Sequence, residues 1–283
     1  MVKIIINADD FGANSRVNDC IAHGLAKNKI TSATILANSE CLDEVLDITR
    51  QYPNASFGVH LNLTAGKSLT QNPVFFDNGI MDENGNFILR NAFINVPNSN
   101  EELREAIKEE WQAQIFVIHR LGIPISHIDG HHHCHTWNGL LPVLREILKE
   151  NQIHKVRSTY RYPTTGSIKD KVKDMLTNLG SRSHSMLLSY GNRNNFFLRW
   201  LGESVDNKRF RDCLCSDGIC LTDFFCSFSS FIQYNNASIS FPNNTSIELM
   251  AHPGVKRFDA ETEMLFKCTF NAQAFVLSSY YDL

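Results

Sequence analysis

The sequence predicts an α/β fold, and within that class a β/α-barrel-like (TIM-barrel-like) chain, incomplete or irregular, with a loop-rich insertion. Three observations predict it. Apolar runs of strand length alternate with helix-length stretches through residues 1–158, the pattern of a parallel sheet with helical crossovers. A chain of 283 residues with 43% hydrophobic content suits a single domain over 1–283 with a sizeable core. Third, acids and histidines recur where the strands end, and β/α barrels gather reactive side chains on that rim.

The elements follow in order. Residues 3–8 (KIIINA) are a continuous apolar run, the mark of a strand buried on both faces. Residues 14–27 read as a helix, with a polar start and Val17, Ile21, Ala22 and Leu25 at helical spacing. A strand at 31–37, a helix at 43–51 and a strand at 56–63 come next. The stretch 64–99 is rich in glycine and proline and reads as loop. A long helix at 101–121 leads to a strand at 125–129, a helix at 137–150 and a strand at 154–158. Beyond that the pattern weakens: 165–211 reads as polar or helical, 218–225 and 247–251 as strands, and 275–283 is too short to place.

Bulk properties exclude several classes. The net charge is −3 and no Lys/Arg cluster stands out, so nucleic acid is not an expected partner. No apolar run approaches the roughly 18–20 residues of a membrane span, and the opening MVKIIINADDFG lacks the features of a secretion signal. The expectation is a soluble cytoplasmic protein, with a second copy of the chain as a candidate partner. Eight cysteines are present, none paired as C-x-x-C. Free thiols are therefore expected over a zinc knot at Cys213, Cys215, Cys220 and Cys226.

The chemistry lies at the strand ends. Asp9 and Asp10 close the first strand, His60 comes late in the third, His127, Asp129 and His131 occupy the end of the fourth, and His252 ends the last. Each has a structural reading when taken alone: Asp-Asp as a cap or turn, His60 as a core histidine, His252 as a turn residue. In combination they place carboxylates and imidazoles from four strand ends on one rim. One aspartate and two histidines leave open positions on a divalent ion, as a hydrolytic metal requires. Neighbouring acids in an extended strand face opposite ways, so one could bind the ion and the other accept a proton.

The segment SHIDGHHHCHTW (126–137) holds five histidines, too many for one ion. If the strand stays extended, His127, Asp129 and His131 share a face; if a helix starts at His131, His131 and His135 share one. His131 belongs to both arrangements and is the leading ligand, with His132 directed away. His133 and His135 either line a pocket or orient the ligands.

The segments INADDFG (6–12), TSATILAN (31–38), GVHLNLT (58–64), HIDGHHHCH (127–135) and AHPG (251–254), with the terminal SSYYDL, closely resemble the YdjC-like family of carbohydrate deacetylases, which includes the chitooligosaccharide deacetylases. The likeness holds order and spacing up to about residue 158 and resumes at AHPG. It implies a barrel-like β/α fold, a divalent ion (commonly Mg2+, with Zn2+ as the alternative) and removal of an N-acetyl group from an amino sugar. Matched motif to motif, the metal ligands fall on Asp10, His60 and His131, the base on Asp9, and an acid or transition-state stabiliser on His252. Asp129 would then orient a ligand histidine from behind. Residues 160–245 carry no such likeness. Two other classes compete: a non-catalytic carbohydrate- or partner-binding barrel, and a metal phosphoesterase, which is disfavoured because no basic residue accompanies the strand-end motifs.

Overall fold

A computed structural model describes residues 1–96, 99–137, 139–159, 207–234 and 241–283. The 165–211 stretch read as polar or helical therefore lies outside the described residues as far as 206.

The apolar run at the N-terminus forms β1 (Val2–Phe11), buried along nearly its whole length. It is the centre of a parallel sheet, as expected of a strand with no polar face. α1 (Ser15–Ala26) follows, with Asn14 as its N-cap accepting from the Val17 amide. Then come β2 (Ser32–Ile35), α2 (Leu42–Gln51) and β3 (Ser56–Leu61). Within the loop-rich stretch the chain forms two short helices, α3 (Pro73–Asp77) and α4 (Leu89–Asn95). The loop is tied to α5 (Glu101–Arg120) by the buried Glu110 carboxylate, which accepts from the Ser68 hydroxyl at 2.7 Å and the Thr70 amide at 2.9 Å.

β4 (Ile128–Gly130), a 3-10 turn (His131–Thr136) and α6 (Leu141–Glu150) complete the first half. α6 begins later than its apolar pattern suggested, because Pro142 favours the first turn of a helix. The second half contributes α7 (Asn207–Ser216), β5 (Phe224–Ser227), α8 (Phe228–Tyr234), β6 (Ser246–Ala251), α9 (Asp259–Lys267) and β7 (Phe275–Ser278). A last 3-10 turn spans Tyr280–Asp282.

The seven strands form one parallel sheet in the order β4-β3-β2-β1-β6-β5. β7 pairs with the first half of β1, from Val2↔Phe275 to Ile5↔Ser278, while β2 pairs with its second half. The sheet is a half-barrel. The eightfold closure of a TIM barrel is not formed by the described residues. The expected strand at 154–158 makes only single bridges, Ile128↔Val156 and Lys155↔Cys220, and 218–225 contributes Cys220 to that bridge before β5 starts at Phe224. None of the eight cysteines forms a disulfide. No helix among the described residues is long and apolar enough to cross a membrane.

Candidate metal centre and active site

Strand register assembles the centre. β3 and β4 pair with His60 directly opposite Asp129, and the His60 Nδ1 to Asp129 Oδ1 distance is 2.6 Å. This fixes the ring, so that Nε2 points to Asp10 Oδ1 at 3.4 Å. A carboxylate behind a histidine is how metal-ligating imidazoles are commonly oriented. Thr34 of β2 donates to the other Asp129 oxygen at 2.9 Å.

The two adjacent acids do not separate as an extended strand would have them. The β1–β2 register shifts between Ala8 and Phe11, and Asp10 adopts φ 63°, a left-handed conformation that short polar residues tolerate. The irregularity turns the Asp10 carboxylate to His60 and His131, while Asp9 stays with the interior. His131 Nδ1 stands 2.8 Å from the same Asp10 Oδ1. The ligand atoms of Asp10, His60 and His131 thus lie within 4.8 Å of one another.

The histidine-rich turn is neither extended nor α-helical. After His131, both His132 (φ 51°) and His133 (φ 56°) are left-handed, and the five rings scatter. His132 Nδ1 is 2.9 Å from Thr64 Oγ1 and its ring packs on Phe93. His133 meets the Phe225 ring edge to face. His135 is buried with Nε2 3.4 Å from the Arg157 carbonyl. His127, farther down β4's approach, stacks on Tyr280 with centroids 3.5 Å apart and bonds Ser126 Oγ at 2.8 Å. Its ring leaves room only for glycine at position 58, where a Cβ would sit 2.6 Å from His127 Cε1. Burial pushes His127, His132 and His135 down to about 3, so these three rings are neutral.

His252 follows β6, whose register with β1 sets Ala251 opposite Ala8 and so brings His252 beside Asp9. Its amide donates to Glu261 Oε1 at 2.8 Å, its Nδ1 lies 3.5 Å from the same oxygen, and its ring stacks on Phe258. Burial pulls the imidazole down, but Glu261 together with Asp9 and Asp10 outweighs it and raises the pKa. The turn in AHPG needs its glycine: Gly254 has φ 81°, and a Cβ there would come within 2.7 Å of the Arg16 carbonyl oxygen.

The expectation that no basic residue accompanies the strand ends is wrong. Arg157, fully buried, donates to Asp9 through Nη1 (2.7 Å) and Nη2 (2.6 Å) and to Glu248 through Nε (2.7 Å). Nη2 is also 2.8 Å from Asp129 Oδ2. Tyr280 donates its hydroxyl to the other Glu248 oxygen. Three carboxylates surround the guanidinium and its side chain has no exposed surface, so it is not placed to take a phosphate. A signal for it existed: Arg157 sits in HKVRS, an anticipated strand, and Glu248 breaks the apolar run IELMA, and a charge in each calls for a partner.

The donor set fits a divalent ion. Asp10 Oδ1 is buried with no donor aligned to it. Asp9, Asp129 and Glu248 share one guanidinium, whereas Asp10 faces the two imidazoles. In the protein alone His60 supplies part of the missing positive charge: burial pulls it down, yet Asp129, Asp10 and Asp9 push it up to about 10. Desolvation likewise works against an ionised Asp10, but His131 and His60 hold its carboxyl well below the usual range.

Several known proteins are similar to this chain. A family model described as YdjC-like protein matches residues 3–274. A carbohydrate deacetylase of Halalkalibacterium halodurans is 31% identical over 166 residues, covering 58% of this chain and 67% of that one. One from Vibrio campbellii is 34% identical over 59% of each chain, and one from Brevibacillus brevis is 30% identical over 65% of this chain and 68% of the relative. The matches with the first two thus span about three fifths to two thirds of the relatives' length. A solved structure from Enterococcus faecalis, described as a "putative cellobiose-phosphate cleavage protein", superposes with a TM-score of 0.64 over 99% of this chain and 98% of that one. At 20% identity it speaks for the fold alone. With the family model covering nearly the whole chain, this protein belongs to the YdjC-like family.

Proposed function

We propose that the chain is a metal-dependent deacetylase that removes N-acetyl groups from amino sugars of the N-acetylglucosamine or chitooligosaccharide type. The observation that carries this reading is the convergence of Asp10, His60 and His131 on one point with Asp9 at the adjoining position. The name carried by the relatives, carbohydrate deacetylase, supports the substrate class.

Asp10, His60 and His131 would hold a divalent ion, Mg2+ by family likeness or Zn2+, which when bound polarises a carbonyl and brings the pKa of a coordinated water towards about 7. Asp129 keeps the His60 ring turned with Nε2 outward. Asp9 accepts the proton of the attacking water, and Arg157 holds both of its oxygens so that a remaining lone pair stays in place. The water oxygen adds to the acetamide carbon. His252, whose pKa Glu261 helps to raise, would pass a proton to the amide nitrogen as the C–N bond breaks, leaving acetate and a free amine. Base and acid thus stand on adjacent strands, β1 and β6.

The test is acetate release from a panel of N-acetylglucosamine oligomers, with and without chelator. Release that stops on chelation and returns with Mg2+ or Zn2+ is the expected result. No release from any sugar by the ion-loaded protein would leave the non-catalytic binding barrel as the better reading.

A further inference from the structure

Two triads of ligand-type residues share His60. The first is Asp10, His60 and His131. The second, Asp9, His60 and Asp129, is wholly buried and also keeps its ligand atoms within 4.8 Å of one another. Glu248 borders it, since one guanidinium reaches this carboxylate and both aspartates. By composition the second triad suits a hard cation better than the first, having two carboxylates, an imidazole and a third carboxylate alongside. The two triads share His60 through different ring nitrogens, Nε2 facing Asp10 of the first and Nδ1 facing Asp129 of the second.

The second position already holds a cation. Arg157 Nη2 lies 2.6 Å from Asp9 Oδ1 and 2.8 Å from Asp129 Oδ2, with Nε 2.7 Å from Glu248 Oε1, so the guanidinium joins the carboxylates as an ion would. It cannot be deprotonated and it cannot exchange or be chelated. Backbone bonds fix it: the Arg157 amide donates to the Ile128 carbonyl at 2.9 Å, and the Arg157 carbonyl faces His135.

We propose that Arg157 fills the second cation position of a two-position site, so that this protein loads one divalent ion where its carboxylates alone would load two. The inference rests on the reading of Asp10, His60 and His131 as the ion-binding triad. It also explains how Asp9 remains a proton acceptor: its partner is a fixed side chain and not an exchangeable ion.

The experiment counts Mn2+ by calorimetry and electron paramagnetic resonance in the wild type, in Arg157→Gln and in Arg157→Gln/Glu248→Gln. The second variant removes a carboxylate together with the cation, which lessens the buried charge left behind. The wild type should take up one Mn2+ with the spectrum of an isolated ion. The variants should take up two with a spin-coupled spectrum, and their melting temperatures should rise with Mn2+ by more than that of the wild type. One ion in both variants, or two in the wild type, overturns the proposal. So does failure of both variants to fold at saturating Mn2+, since the carboxylates would then not accept an ion in place of the guanidinium. A wild type that binds no ion would bring down the triad reading itself, whereas one ion everywhere would remove only this inference.

Discussion

The rim triad and the network beneath it use the same residue types and share His60, yet they differ in how well their polar atoms are satisfied. At the rim, Asp10 Oδ1 sits between two imidazoles, 2.8 and 3.4 Å away, with neither aligned to it, and His131 is partly exposed. In the interior, Arg157, Asp129 and Glu248 have no exposed side-chain surface, and the guanidinium meets its carboxylates at 2.6–2.8 Å. A buried charge left unpaired is costly, so the interior must be complete before anything binds. The unsatisfied rim is where binding energy is still to be gained. On the proposed reading, binding is located where the fold leaves a donor set unfinished, and rigidity where it finishes one.

The largest expected effect separates the two regions at their junction. Asp9→Asn keeps the shape of the side chain but cannot act as base, so turnover should fall by about 10²–10⁴-fold while Mn2+ or Zn2+ affinity measured by calorimetry stays near the wild-type value. An emptied metal site in that variant would merge the two regions into one.

His131→Ala tests the rim. Metal affinity should drop by well over the roughly 100-fold upper range of an outer-shell loss, with the fold retained, because His131 is partly exposed at the rim. His132→Ala is the control within the same turn: it loses its bond to Thr64 Oγ1 and should leave metal affinity nearly unchanged. A larger metal effect at His132 than at His131 would invert the assignment.

Tyr280→Phe probes the interior from its far end. The ring keeps its stack on His127, but Glu248 loses a donor, and leaving a buried acceptor without one costs about 1–3 kcal/mol, readable in denaturant unfolding.

The smallest effect is one of pH. Burial pushes the Glu248 carboxyl up to about 7 from its ordinary 4.5, despite Arg157 and Tyr280. A carboxyl raised on folding takes up a proton, so its share of the stability is complete below about 4.5 and is lost as pH rises through about 7. Stability curves of wild type and Glu248→Gln should therefore converge or diverge across this window and run parallel outside it. Parallel curves throughout would mean that Glu248 is ionised at all these pH values.

Much of the frame was legible in the residues. Alternating apolar runs located β1, β2, β3 and β6 and their helices, because a strand buried on both faces cannot be written with polar residues. The site residues were legible as polar exceptions at strand ends. What failed were places where local pattern has no voice. The strand expected at 154–158 makes single bridges instead, and the short 275–283 segment gains its structure only by pairing with β1 and seating Tyr280 in the interior.

By itself the sequence determined the α/β class, the order of the strands along the chain and the ring of acids and histidines at their ends, since periodicity and composition act over a few neighbouring residues. Tertiary structure alone decided the rest. The left-handed backbone at Asp10 turns that carboxylate onto the histidines, and the kink after His131 separates the imidazoles of His131, His132, His133 and His135. The parallel register sets His60 against Asp129. Above all it brings Arg157 to Asp9 across 148 positions of chain, because a buried carboxylate is stable only beside a charge that folding delivers from elsewhere.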